Sequence, residues 1–114
     1  MPDGAVASEH RADPNHALDP RLLKAVIWRE SAFHADKIGT SGERGLMQVG
    51  EAAARDWAKA ERVETFAPTD LFDARTNVAV GAWYLARAIE RAFPDPEDRT
   101  RALRGDSLGV GGAA

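Results

Sequence analysis

One run governs what this chain can fold into: LDPRLLKAVIWRESAF, Leu18 to Phe33. Asp19 suits a helix N-cap. Pro20 suits the first helical position, where its missing N–H has no helical partner to lose. Leu22, Leu23, Val26, Ile27, Glu30 and Phe33 recur at helical spacing, which predicts a helix to about Phe33 or Ala35. Residues 23, 26, 27, 30 and 33 share one face, apolar except for Glu30. An ionised carboxylate buried alone is expensive and tends to keep its proton, which is what a general acid requires. The alternative places Glu30 partly exposed at the stripe's edge, paired with Arg29, Lys24 or Arg44. Position alone leaves both open.

The segments that follow are helical or loop-like. KIGTSGERG, residues 37–45, has three glycines with Ser and Thr and reads as a loop. EAAARDWAKAE predicts a second helix from about Glu51 to Glu61. ERVETFAPTD is irregular, with Pro68 as a breaker. Asp73 can cap a third helix from Ala74 to about Phe93, with Val78, Ala82, Leu85, Ile89 and Phe93 as its core stripe. The two prolines of PDPED end it. RTRALRGDSLGVGGAA is partly helical at first and then becomes glycine and alanine. Strand-like alternation is absent, so the fold class is mainly α. The expected organisation is a flexible arm over 1–17, a folded domain over 18–93, and a disordered tail over 94–114.

Composition narrows the function. A chain of 114 residues suits one domain and buries roughly 65% of its unfolded surface, enough for one modest core. A net charge of −3, with acids and bases mixed, argues against a general nucleic-acid binder. The absence of cysteine excludes disulfides, thiolate metal sites and a cysteine nucleophile, and leaves the redox compartment open. His10, His16 and His34 lack metal-ligand spacing, so no metal is expected. No apolar run reaches the roughly 20 residues of a membrane span, and the first residues lack the pattern of a signal peptide.

The motifs carry more. In order come Glu30-Ser31-Ala32-Phe33, a Gly-rich loop, Gly45-Leu46-Met47-Gln48, and then Leu71-Phe72-Asp73 with Asn77, Gly81, Tyr84 and Leu85. With LDPRLLKAVIWRES ahead of them, they resemble the goose-type lysozyme and soluble lytic transglycosylase family over about Leu18 to Ile89. The resemblance implies a lysozyme-like, mostly helical fold that cleaves the glycan strands of peptidoglycan. It implies Glu30 as the catalytic acid, protonating the glycosidic oxygen between N-acetylmuramic acid and N-acetylglucosamine. Glu30 then acts as base while the muramyl 6-hydroxyl attacks the anomeric carbon, leaving a 1,6-anhydro end. An ordinary glycosidase needs a second carboxylate, about 5–5.5 Å away in retaining enzymes or 6.5–9.5 Å in inverting ones. Asp36, Glu43 and Glu51 read as solvated, so no partner carboxylate is evident.

The resemblance gives the other matched residues lesser roles. Gln48 and the backbone near Met47 line the sugar groove and hold acetamido groups; Met47 is alternatively core. Ser31 orients Glu30 or the substrate. Asn77 and Gly81 allow close packing under the site. Tyr84 faces the cleft or packs in the core. Trp28, Trp57 and Trp83 stack on sugars or pack against loops. No cofactor is implied, the partner is peptidoglycan, and a monomer is expected. The family places the activity in the periplasm or cell envelope, whereas the chain as written, without a signal peptide, is expected in the cytoplasm.

Two decoys and one departure remain. Gly105-Asp106-Ser107-Leu108 spells a serine-esterase motif, but no histidine follows it. GVGGAA is not flanked by the strand and helix of a phosphate loop. The family's Tyr-Asn segment is expected shortly after Phe93. Here Arg101-Ala102-Leu103 continues instead into RGDSLGVGGAA, as a frame change near Leu103 would produce. Losing a positioned polar donor can lower a rate about 10²–10³-fold. The readings are therefore a lytic transglycosylase, a truncated remnant with weak glycan binding, or a goose-type hydrolase.

Overall fold

The computed structural model describes residues 18–104, and of residues 102–104 the backbone alone. The expected arm over 1–17 and the tail beyond Arg104 lie outside the described residues. Among the described residues four α-helices and a 3₁₀ turn follow one another: α1 Pro20–Ser31, α2 Glu51–Ala60, the 3₁₀ turn Pro68–Phe72, α3 Ala74–Ala92 and α4 Pro96–Arg104. The only β pairing among the described residues is two isolated bridges, Ile38 with Arg44 and Arg44 with Val49. The class is mainly α, as expected.

The caps form where the sequence predicts. The Asp19 carboxylate accepts from the Arg21 N–H at 2.8 Å, with Pro20 opening α1. The Asp73 carboxylate accepts from the N–H and hydroxyl of Thr76 at 3.0 and 3.1 Å and starts α3. These bonds, the backbone one foremost, hold the Asp73 carboxyl below the usual carboxylate range.

α1 ends earlier than its apolar spacing predicts. The helix stops at Ser31, and Ala32 and Phe33 turn into the left-handed region, with φ of 50° and 65°. Each such residue costs about 1–2 kcal/mol relative to right-handed backbone. Local bonds offset this. Ala32 N–H donates to Trp28 O at 2.9 Å, His34 N–H to Ser31 O at 3.0 Å, and Lys37 Nζ to Glu30 O at 2.6 Å. Phe33 also packs against the core, with its ring 6.3 Å from that of Trp28.

Two other stretches differ in detail. Pro68 begins the 3₁₀ turn rather than merely interrupting the chain, because proline's fixed φ suits a first helical position. Likewise α4 starts at Pro96, three residues before the RTRALR stretch that reads as helical, and occupies part of the segment expected as a disordered tail. Asp95 anchors this start by accepting from the Glu97 N–H at 2.8 Å.

The core joins Leu23 and Ile27 of α1 to Leu46, to Leu71 of the 3₁₀ turn, and to Val78 and Val80 of α3, all almost fully buried. At about 25 cal/mol per Å² of apolar surface, each such side chain contributes roughly 1.5–3 kcal/mol. Packing of α3 against α2 and the 3₁₀ turn, together with this shared core, fixes the walls of a cleft beside the end of α1.

Candidate active site

A cavity of about 430 Å³ opens between α1, the 45–50 turn, the start of α2 and the middle of α3. Glu30, Met47, Gln48 and Tyr84 line it together, although they lie on three separate parts of the sequence. Ser31 and Asn77 do not.

Glu30 sits in the last turn of α1, half-buried. The sealed part of the stripe ends at Ile27. Glu30 shares the cavity wall with Val26, also half-buried, and so lies between the two positions its spacing allows. Among the described residues no cation forms an ion pair with its carboxylate; Arg21, Arg55 and Arg101 pair with Asp19, Glu51 and Glu97 instead. Glu30 is therefore a half-buried carboxyl beside apolar walls, without a paired cation among the described residues. Of the other nearby acids, Asp36 is exposed, Glu51 is exposed and bound to Arg55 at 2.7 Å, and half-buried Glu43 does not line the cavity.

The turn that carries Met47 and Gln48 is held from below. Asn77 is fully buried. Its Oδ1 accepts from the Met47 N–H at 2.7 Å, and its Nδ2 donates to Arg44 O at 2.8 Å and Leu71 O at 2.7 Å. The whole amide group is therefore used in fixing the turn to α3. Gly45 makes that approach possible, since a Cβ there would collide with the Asn77 amide and the Leu71 carbonyl, and its φ of 78° suits glycine. The Arg44–Val49 bridge closes the turn with two bonds of 3.0 Å.

Met47 is both core and lining. It is 8% exposed, and it packs so closely on Gly81 that a Cβ at Gly81 would meet its side chain. Its N–H is engaged by Asn77 and so is not available to a sugar. Gln48 adopts φ of 50° and donates from Nε2 to Lys37 O at 3.1 Å and Gly45 O at 2.9 Å. Both amide hydrogens are used within the loop, and the amide oxygen lies close against Gly39. The Ser31 hydroxyl is buried and donates to Ile27 O at 3.1 Å, so it caps a helix carbonyl rather than facing the cleft. Tyr84 is 46% exposed at the cavity wall.

Lys37 carries a role that the sequence did not suggest, since a lysine in a Gly-rich loop reads as solvated. Its ammonium reaches back to Glu30 O, and its own carbonyl accepts from the Gly45 N–H at 2.9 Å and from Gln48 Nε2. One residue thus ties the end of α1 to the turn across the cleft. None of the three tryptophans lines this cavity: Trp28 is exposed against Phe33, and Trp57 packs edge-on against Phe66 with ring centroids 6.1 Å apart. Trp83 lines a neighbouring cavity. Among the described residues no three His, Cys, Asp or Glu side chains converge as metal ligands.

Comparison with known proteins agrees with this architecture. The model of the transglycosylase SLT domain matches residues 8–102. The chain is 36% identical over 94 residues to membrane-bound lytic murein transglycosylase F of Desulfosudis oleivorans, covering 82% of this chain and 18% of that protein. It is 34% identical over 88 residues to the X polypeptide of Escherichia coli, covering 70% and 48%. The chain thus spans less than half the length of these relatives. An inactive mutant of the lytic transglycosylase Slt from Pseudomonas aeruginosa superimposes with a TM-score of 0.69 at 21% identity, over 96% of this chain and 17% of that one. The fold is therefore lysozyme-like and helical, and the chain belongs to the transglycosylase SLT domain family.

Proposed function

We propose that this domain cleaves the β-1,4 bond between N-acetylmuramic acid and N-acetylglucosamine in peptidoglycan, without water. The observation that carries the proposal is a cleft whose lining, among the described residues, holds one carboxylate, Glu30. Glu30 gives its proton to the glycosidic oxygen as the C1–O4 bond breaks. The muramyl 6-hydroxyl forms the new O6–C1 bond and returns its proton to Glu30. The residue ends as it began, and the product is a 1,6-anhydro end. An ordinary hydrolytic glycosidase uses a second carboxylate to activate water or to attack the sugar. A substrate that supplies its own nucleophile does not.

The other residues shape the cleft. Lys37 and Gln48 hold its opposite walls together at the Glu30 end. Met47 on Gly81 forms its floor, and Tyr84 offers a ring face and a hydroxyl at its mouth. Ser31 and Asn77 act as positioning residues, through the end of α1 and through the turn. The partner is the glycan strand, met by a monomer in the cell envelope. The relatives named above as murein transglycosylases support this substrate. Among the described residues no helix is long and apolar enough to cross a membrane.

The test is Glu30→Gln, which keeps shape and removes the proton. General acid–base help is worth about 10²–10⁴ in rate, and here one residue serves both steps. Clearing of purified sacculi should stop while circular dichroism stays unchanged. Equal clearing by wild type and variant at equal helicity would end the assignment.

A further inference from the structure

The Glu30 carbonyl ends α1 in an unusual way. In a continued helix it would accept the N–H of His34. The left-handed turn at Ala32 and Phe33 diverts that group. His34 N–H donates to Ser31 O at 3.0 Å instead, and the His34 ring Nδ1 lies 2.9 Å from the same oxygen. The Glu30 carbonyl is left to Lys37, whose Nζ donates to it at 2.6 Å. The chain brings the lysine back to α1 through a second turn, in which Lys37 N–H donates to His34 O at 3.2 Å. An ammonium on the open carbonyl of a helix C-terminus matches both the geometry and the partial negative charge of that end.

The backbone of Lys37 is held by the opposite wall. Its carbonyl accepts from Gly45 N–H at 2.9 Å and from Gln48 Nε2 at 3.1 Å. That turn is fixed to α3 in its own right, through Met47 N–H on Asn77 Oδ1 at 2.7 Å. The lysine side chain therefore joins the backbone of Glu30 to a rigid support. Among the described residues no ion pair fixes the Glu30 carboxylate. Its place in the cleft depends on where its backbone is held. Two left-handed non-glycine residues directly after Ser31 carry strain, and strained backbone persists where neighbouring bonds over-determine it.

We propose that Lys37 is a positioning residue for Glu30. Its ammonium holds the last turn of α1 against the strain at Ala32 and Phe33, and so sets the reach of the Glu30 carboxyl into the cleft. The kinetic consequence rests on the glycan function proposed above; the clasp itself rests on the hydrogen bonds alone. A misplacement of about 1 Å can cost 10²-fold in rate. Losing one exposed clasp lets the end of α1 move only part of the time, so the effect is smaller than that. It is also confined to one wall. Without the ammonium, Gly45 and Gln48 still have the Lys37 carbonyl, and Met47 still has Asn77.

The test variant is Lys37→Met in the full chain, which keeps the stem and removes the donor. Amide hydrogen exchange reads the clasp without substrate. Ala32 and His34 N–H should exchange about tenfold faster than in wild type, while Met47 N–H stays within about twofold. On soluble peptidoglycan strands, kcat per folded molecule should fall about tenfold, roughly 1.4 kcal/mol, with KM within about twofold of wild type. Adding Ala32→Gly relieves one left-handed residue. It should slow His34 exchange again and raise kcat of the Lys37→Met chain by about threefold or more. Unchanged exchange at Ala32 and His34, exchange that quickens equally at Met47, kcat per folded molecule equal to wild type, or no recovery with Ala32→Gly would each overturn the assignment while the glycan function stands. A wild-type chain that cleaves no strands, with exchange responding as expected, would instead overturn the glycan function and leave the clasp in place.

Discussion

Replacing Asn77 by alanine should destabilise the fold well beyond the loss of one side chain. Three bonds of 2.7–2.8 Å disappear at a fully buried position. The Arg44 carbonyl keeps its bond from the Val49 N–H. The Met47 N–H is left buried without a partner and the Leu71 carbonyl loses a donor, at about 1–3 kcal/mol for each unsatisfied group. The sum is about 3 kcal/mol, a large fraction of the 5–15 kcal/mol typical of a domain. For a domain of this size that is a fall in Tm of about 10–20 °C.

Asn77→Asp sharpens the test. It keeps an acceptor for Met47 but turns a second oxygen toward the Arg44 and Leu71 carbonyls. Ionisation of that new carboxyl is disfavoured in the fold, so its folded pKa rises above the unfolded value. The folded state then holds more protons, and stability falls as pH rises from about 4 to about 7. Asn77→Ala gains no such pH dependence. Thermal melts of both variants across that range, followed by circular dichroism, decide the matter. A Tm for Asn77→Ala within about 3 °C of wild type, or parallel pH profiles for the two variants, would refute the reasoning.

Two further outcomes follow from the packing and the caps. Gly81→Ala should lower stability by about 1–3 kcal/mol through overpacking against Met47, and adding Met47→Ala should give a double variant more stable than the sum of the two single changes; strict additivity in the cycle would show that the two residues do not press on each other. Asp73→Ala should cost about 1 kcal/mol at neutral pH through loss of the α3 N-cap. Because the folded Asp73 carboxyl lies below its ordinary range, wild type's advantage over this variant should be present above that range and fade as pH falls through the folded value; an advantage that grows in acid would contradict the cap.

Much of this was legible in the sequence because it is local. Asp19 with Pro20, and Asp73 before Ala74, announce helix starts through the chemistry of the first turn. Helical spacing puts Glu30 on the face of Leu23 and Ile27. Motif order along the chain, rather than any single motif, brought Met47, Gln48 and Tyr84 into the same expectation as Glu30. What stayed hidden is conformational or long-range. Nothing in Ala32 and Phe33 announces two left-handed residues, since the usual signal is glycine. The exact depth of Glu30 depends on where α1 stops, and that depends on those two residues. The role of Asn77 is set by a turn some thirty residues earlier, so spacing suggested close packing but not which atoms bond. Lys37 and Arg87 look like solvated charges in the sequence; the folded loop brings Lys37 to the Glu30 carbonyl, and Arg87 stacks on Trp83 one turn back on α3.

The central claim is that one half-buried glutamate cleaves the strand while the sugar's own hydroxyl serves as nucleophile. The masses of newly formed ends in sacculi digested by the full chain test it most directly. The account predicts 1,6-anhydromuramic ends, one water or roughly 18 Da lighter than hydrolysed ends, that cease to form with Glu30→Gln. New reducing ends carrying the extra water, anhydro ends formed undiminished by the variant, or no new ends from the wild-type chain would contradict it.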